Sequence, residues 1–284
     1  MLSINSSTAA LSTQYQLEQS RKKTAQTLAE LGSGSQLDSA SVNAANAAMS
    51  QSLQTQINGN NQAESNAYDG ISMLQTASGA LSQLQSNTQQ IQTLAVQAGD
   101  GALNSSDRQA MQAQVDQLTQ ANSSIIQNTQ YNGTQLLNNG QSVQFQVGAN
   151  ANSSDQISVS TSNLATSAAN GGLSSYNANL DATGTINIST QSAALAAQSG
   201  LQSDLDTLSS NQAQVGASSN QFEAAIGNLQ STTLAEQQAN SSISDTDYAA
   251  ASAQLAQQQI ISQSALAVQA QANISPATAL SLLS

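Results

Sequence analysis

The chain of 284 residues carries 16 acidic against 4 basic residues, a formal charge of −12, and contains no cysteine, histidine or tryptophan. These absences remove disulfides, thiolate chemistry, the usual imidazole base and ordinary zinc or haem ligation. With no basic face to neutralise phosphates, nucleic-acid binding is not expected. Aromatics are 2% and charged residues 7%, so the Ala, Leu, Val and Ile supply suits thin helix–helix seams. Polar, uncharged surfaces let identical copies pack densely.

The first helix is expected from about Ile4 to Leu31. Ile4, Leu11 and Tyr15 fall in register, and Glu18 and Lys22 then break it. Arg21-Lys22-Lys23 reads as a solvated helix face, with an anionic-partner site as the sharper alternative. The opening MLSINSSTAALS has neither the basic stretch nor the apolar run of a cleaved signal, and no apolar stretch reaches the 18 residues needed to span a bilayer. No membrane insertion is expected. Gly32–Ser35 forms a joint.

A long helix follows from about Ser41 to Val96, roughly 80 Å at 1.5 Å per residue. Its seam steps by three and four through Leu74, Ala77, Leu81, Leu84, Thr88, Ile91, Ala95 and Ala98. Gly99-Asp100-Gly101 ends it. Ser106 with Gln109 resembles a capping box opening the next helix, whose seam is Met111, Val115, Leu118, Asn122 and Ile125. Asn132-Gly133 is a turn signal. Val143, Phe145 and Val147, then Ile157 and Val159, alternate with polar residues and predict a β-hairpin.

Residues 162–185 have no period, and Ile186 and Ile188 suggest a short strand. A third heptad helix, about Thr190 to Ala239, has its seam at Leu201, Leu205, Leu208, Gln212, Val215, Ser219, Phe222, Ile226 and Leu229. Asn240–Asp247 forms a second joint. A last helix runs from about Tyr248 to Ala272, and Ser275-Pro276 reads as an N-cap and N1 opening a final short turn.

The expectation is a mainly α protein, an elongated helical rod or coiled-coil bundle whose N- and C-terminal helices pair, with a small β-hairpin region mid-chain. Residues 1–44 with 240–284 form a discontinuous terminal domain, 45–161 with 186–239 a helical domain with the hairpin, and 162–185 a short irregular insertion. Ser/Gln/Asn richness is also a mark of disorder; the sustained heptads argue for order in the middle. The weaker terminal stripes are expected to order fully when neighbours cover them.

The chain resembles a bacterial flagellin. The matching strings are Asn66-Ala67-Tyr68-Asp69-Gly70-Ile71-Ser72, QTASGAL ending at Leu81, Leu94-Ala95-Val96-Gln97, Ser106-Asp107-Arg108 with MQAQVDQL, and Thr129-Gln130-Tyr131-Asn132-Gly133. FQVGANA from Phe145, Ile243-Ser244-Asp245-Thr246-Asp247-Tyr248 and QANISPATALSLLS from Gln271 complete them. The resemblance implies a subunit that is exported unfolded through the flagellar type III channel with a chaperone. It then polymerises with its own copies beneath a cap, outside the cell, next to hook-associated proteins. The paired chain ends would form an inner coiled-coil layer, which makes Ile4, Leu11, Tyr15, Leu255 and Leu266 candidates for the assembly seam. Large outer domains are not expected. The basic and acidic SAKDDAAG-like stretch of the family is replaced here by Ser39-Ala40-Ser41-Val42-Asn43-Ala44-Ala45-Asn46, Glu30 stands at a frequent Arg, and Ser284 at a usual basic residue.

The alternative within this resemblance is a hook–filament junction protein. An enzyme is not expected and no cofactor is implied. HExxH cannot occur without histidine, and Lys22 and Lys23 lie beside Arg21 on a polar face. Asp204/Asp206 and Asp245/Asp247 are spaced i,i+2 and do not face each other on a helix. An adhesin would have few aromatic stacking platforms. In stimulatory relatives the surface seen by the animal flagellin-sensing Toll-like receptor has an Arg-x-x-x-Leu-Ala-Val-Gln patch and a Glu on the next helix. Leu94 is kept here, but Gln90 and Gln114 stand at the charged positions, so weak or no recognition is expected.

Overall fold

A computed structural model of the chain describes residues 8–37, 43–166, 172–176 and 186–281. Among these, five helices account for most of the fold: α1 (Thr8–Ser33), α2 (Ala44–Ala98), α3 (Ser105–Asn128), α4 (Gln191–Ser244) and α5 (Tyr248–Ser281). Four short strands lie between α3 and α4. Strands β1 (Gln130–Tyr131) and β2 (Thr134–Gln135) pair across Asn132-Gly133, both with positive φ, a two-residue turn matched to the twist of a hairpin. Strands β3 (Ser142–Gln146) and β4 (Gln156–Ser160) pair antiparallel with Val143 opposite Val159 and Phe145 opposite Ile157. The chain divides into a terminal unit, Met1–Ile57 with Leu234–Ser284, and a central unit, Asn58–Thr233. Both α2 and α4 contribute to each.

In the central unit the heptad stripe of α2 is the core. Leu74, Ala77, Leu81, Leu84, Thr88, Ile91, Ala95 and Ala98 are all buried. They meet Leu201, Leu208, Phe222 and Ile226 of α4 in two apolar clusters, to which the hairpin adds Val147 and Val159. On α3 the buried stripe is Arg108, Val115, Thr119, Asn122 and Ile126, turned slightly from the expected seam. Met111, Leu118 and Ile125 pack at its edge.

Polar groups inside are largely matched. Asn87 donates to Asn122 at 2.8 Å, and Asn122 donates to Ser175 Oγ at 3.4 Å. The Asp204 carboxylate, nearly inaccessible, accepts from the backbone N–H of Ser174 at 2.7 Å and of Ser175 at 3.0 Å. Burial pushes its pKa up, and the Ser174 and Ser175 hydrogen bonds oppose that shift.

Local expectations are corrected at four places. Helix α4 runs on to Ser244, so the second joint shortens from Asn240–Asp247 to residues 245–247. The cap of α3 is Asn104, whose Oδ1 accepts from Asp107 N at 2.9 Å; Asn is as good an N-cap as Ser, and here it takes precedence over Ser106. Residues 186–188 form no strand. Gln112 instead supplies both strand-like bonds, donating to Ile186 O and accepting from Ile188 N. Helix α5 runs on through Pro276 to Ser281 rather than restarting there, at the loss of the one backbone donor that proline lacks.

Candidate assembly surface

The terminal unit pairs α1 with α5 antiparallel: Tyr248 OH donates to Leu31 O, and Ser20 Oγ reaches Gln258 O. Apart from Glu30, the least exposed positions of α1 are Thr13, Leu17, Ser20, Thr24, Thr27 and Leu31, and those of α5 are Ala251, Leu255, Gln258, Ser262, Ala265 and Gln269. Both sets step by four and three, so each is a single coiled-coil stripe. The stripe is built mainly of small and polar residues. Thr24 and Thr27 satisfy their hydroxyls on the carbonyls of Ser20 and Lys23 in their own helix, which lets them be buried without another partner.

The large apolar side chains point elsewhere. Leu11, Tyr15 and Leu28 of α1 and Ile260, Ile261, Leu266 and Val268 of α5 are exposed, Leu11 at 72% and Leu266 at 47%. Of the expected seam residues, Leu255 lies half-buried within the pair, Leu11, Tyr15 and Leu266 lie on its outside, and Ile4 falls outside the described residues. The polar inner stripe escaped an apolar search. Its signal is the heptad spacing of Ser and Thr around Leu17.

The two joints are tied to each other. Ser35 bridges Asp245, Gln36 N donates to Ser244 O at 2.7 Å, and Thr246 N donates to Gly34 O at 3.0 Å. Gln36 Nε2 reaches Asp245 O at 2.9 Å and Thr246 Oγ1 reaches Glu30 O. Gly34 turns the chain at φ +73, a left-handed conformation that suits glycine.

On the central unit, Gln90, Thr93 and Leu94 of α2 and Gln114, Gln117 and Leu118 of α3 line one groove of about 490 Å³. Gln90, Leu94 and Gln114 are therefore brought together, and Gln90 and Gln114 are neutral.

Residues 4–142 match the bacterial flagellin N-terminal helical region, and residues 198–283 match the bacterial flagellin C-terminal helical region. A flagellin of Bacillus subtilis is 31% identical over 99% of both chains. The chain belongs to the flagellin family. A flagellar filament 30.7 kDa core protein of Treponema maltophilum is 30% identical over 90% of both chains, and a flagellin of Halalkalibacterium halodurans is 32% identical over 89% of both. This is a short flagellin: residues 143–197, which hold all but the first residue of the β3–β4 hairpin, separate the two matched regions. Flagellins are structural proteins.

Proposed function

We propose that this flagellin polymerises into the flagellar filament through the outward faces of α1 and α5. The observation that carries the reading is the inversion of the terminal pair: a polar stripe is buried within it while, besides Tyr248, seven large apolar residues among those described stay exposed. Burying one such side chain contributes about 1.5–3 kcal/mol, and covering all seven requires neighbours. Leu11, Tyr15 and Leu266 belong to the copy-to-copy seam, Ile4 is assigned to it from its register, and Leu255 holds the pair together. Export through the type III channel with a chaperone, and contacts with cap and hook-associated proteins at the two ends of the filament, are part of the same proposal, which membership of the family supports. Electron microscopy of purified filaments separates this role from that of a hook–filament junction protein, which sits only at the base.

Leu266→Asp tests the seam. A carboxylate in a packed interface costs several kcal/mol when unpaired, so sedimentable filament should be lost. Monomer helicity should be retained, because Leu266 is not part of the inner stripe. Normal filaments from this variant would place Leu266 at solvent and reject the seam.

A further inference from the structure

The charges of the terminal unit are unevenly placed. Of the four basic side chains, Arg108 lies in the central unit with its guanidinium donating to the carbonyls of Ala98, Asp100 and Leu103. Arg21, Lys22 and Lys23, consecutive on α1, are the three exposed ones. From Tyr248 to Ser284 there is no charged side chain at all, so α5 offers them nothing. Arg21 borders a groove of about 320 Å³ whose other walls are Thr24, Ala25, Leu28, Gln259, Ser262 and Gln263, all uncharged.

Successive residues of a helix point about 100° apart, so no single carboxylate of α1 can serve the triplet. Glu18 is at pairing distance in sequence from Arg21 and Lys22, which leaves positive charge in excess. The opposite charge collects at the C-terminal end of α1. The tie between the joints brings Asp245 and Asp247 to the end that carries Glu30. Asp245 and Asp247 are exposed; the Glu30 carboxylate accepts a neutral amide from Gln26 at 2.9 Å, and that of Asp245 accepts the neutral hydroxyls of Ser241 and Ser244. Along α1 the triplet and Glu30 are seven to nine residues apart, roughly 10–14 Å at the helical rise.

We propose that in the polymer the Arg21–Lys22–Lys23 triplet of one copy seats against the acidic end, Glu30 and Asp245, of a neighbouring copy, and that this contact fixes a staggered register between adjacent terminal helix pairs. It rests on the reading that the chain polymerises with itself, and it names the contact that aligns the copies. Packing in exact alignment stacks triplet on triplet and repels. A shift along α1 by the spacing of the two clusters brings opposite charges together, with exposed Leu28 between them as the apolar part of the contact. Apolar stripes slide past one another at small cost, whereas a charge cluster in a chain this poor in charge discriminates strongly between registers.

The test is seeded polymerisation of the full chain, followed by sedimentation across a range of NaCl concentrations. R21E/K22E/K23E and, separately, E30K/D245K should each raise the critical concentration about tenfold or more at low salt, a change equivalent to 1.4 kcal/mol. Asp247 is left unchanged because it caps α5. A chain carrying both reversals should assemble within about threefold of the parent, given that ion pairs are restored with inverted sign. R21Q/K22Q/K23Q guards against a folding defect and should fall between the parent and the reversed triplet, with unchanged monomer helicity. Single reversals that polymerise like the parent, or a combined variant no better than the worse single one, overturn the contact and leave polymerisation itself intact. Failure of the parent chain to elongate seeds at any concentration overturns the filament reading instead.

Discussion

Phe222 of α4 lies directly over Gly70 of α2: a Cβ built on Gly70 would come within 2.7 Å of Phe222 Cε1. The same ring meets Phe145 of the hairpin edge-on, with centroids 5.4 Å apart and planes at 87°. Two helices and a hairpin thus converge on one aromatic side chain, and the missing Cβ is what admits it.

Gly70→Ala should therefore destabilise the central unit, by about 1–3 kcal/mol from overpacking. Gly79 and Gly216 sit in the same two helices with nothing within 4 Å of an added Cβ. There Ala should stabilise, by up to about 1 kcal/mol from helix propensity. Urea midpoints of the three variants check the opposite signs; a neutral Gly70→Ala would mean the ring moves aside freely.

Arg108→Lys should loosen the α2–α3 turn despite keeping the charge. The fork places three nitrogens on three carbonyls at once, and an ammonium on a flexible stem cannot match that geometry. A loss of about 1–3 kcal/mol is expected from buried carbonyls left unpaired. Amide hydrogen exchange should rise across residues 99–104 before it rises elsewhere.

Asp204 supplies a pH dependence with a definite sign. Its folded pKa is raised by burial above the ordinary 3.8. Such a group adds stability below its unfolded pKa and loses that contribution as pH rises through the folded one. The difference in stability between the parent and Asp204→Asn should then shift in favour of the parent as pH falls from neutral toward 3.8. Denaturant midpoints at several pH values read this difference, and a shift toward the variant would show that the Ser174 and Ser175 bonds outweigh desolvation.

Gln90→Arg with Gln114→Glu should raise activation of the flagellin-sensing Toll-like receptor. Leu94 already lines one groove with both positions. An arginine at an interface centre provides charge-assisted bonds that glutamine cannot, so receptor activation by soluble monomer should increase about tenfold or more. No increase in a reporter-cell assay would reject the assignment of Gln90 and Gln114.

Apolar positions were legible where one chain buries them. The stripe from Leu74 to Ala98 reads directly from spacing because α4 covers it within the same molecule. The hairpin was legible too, as Val143, Phe145 and Ile157 alternate with polar residues. On α1 two stripes compete: Leu11 and Tyr15 carry the hydrophobicity, whereas Thr13, Leu17, Ser20, Thr24 and Thr27 make the intramolecular contact. Sequence pattern ranks stripes by apolar area and does not say which partner, internal or external, will cover them. Asn104 and Ser106 are near-equal capping residues, and only the path of the loop chooses between them. The strand suggested by Ile186 and Ile188 failed because its backbone partner is a side chain, Gln112, for which no strand periodicity exists.

That amide has a consequence for how the chain tolerates change. Gln112 grips residues 186 and 188 by their main-chain groups, which every residue other than proline possesses. The entry into α4 is thereby located by backbone geometry, while Asn187 between the two anchors stays exposed. Related chains can accordingly vary at 187, or carry a label there, and still feed α4 into its place at the same register, while Ile186 and Ile188 stay apolar because their side chains are buried.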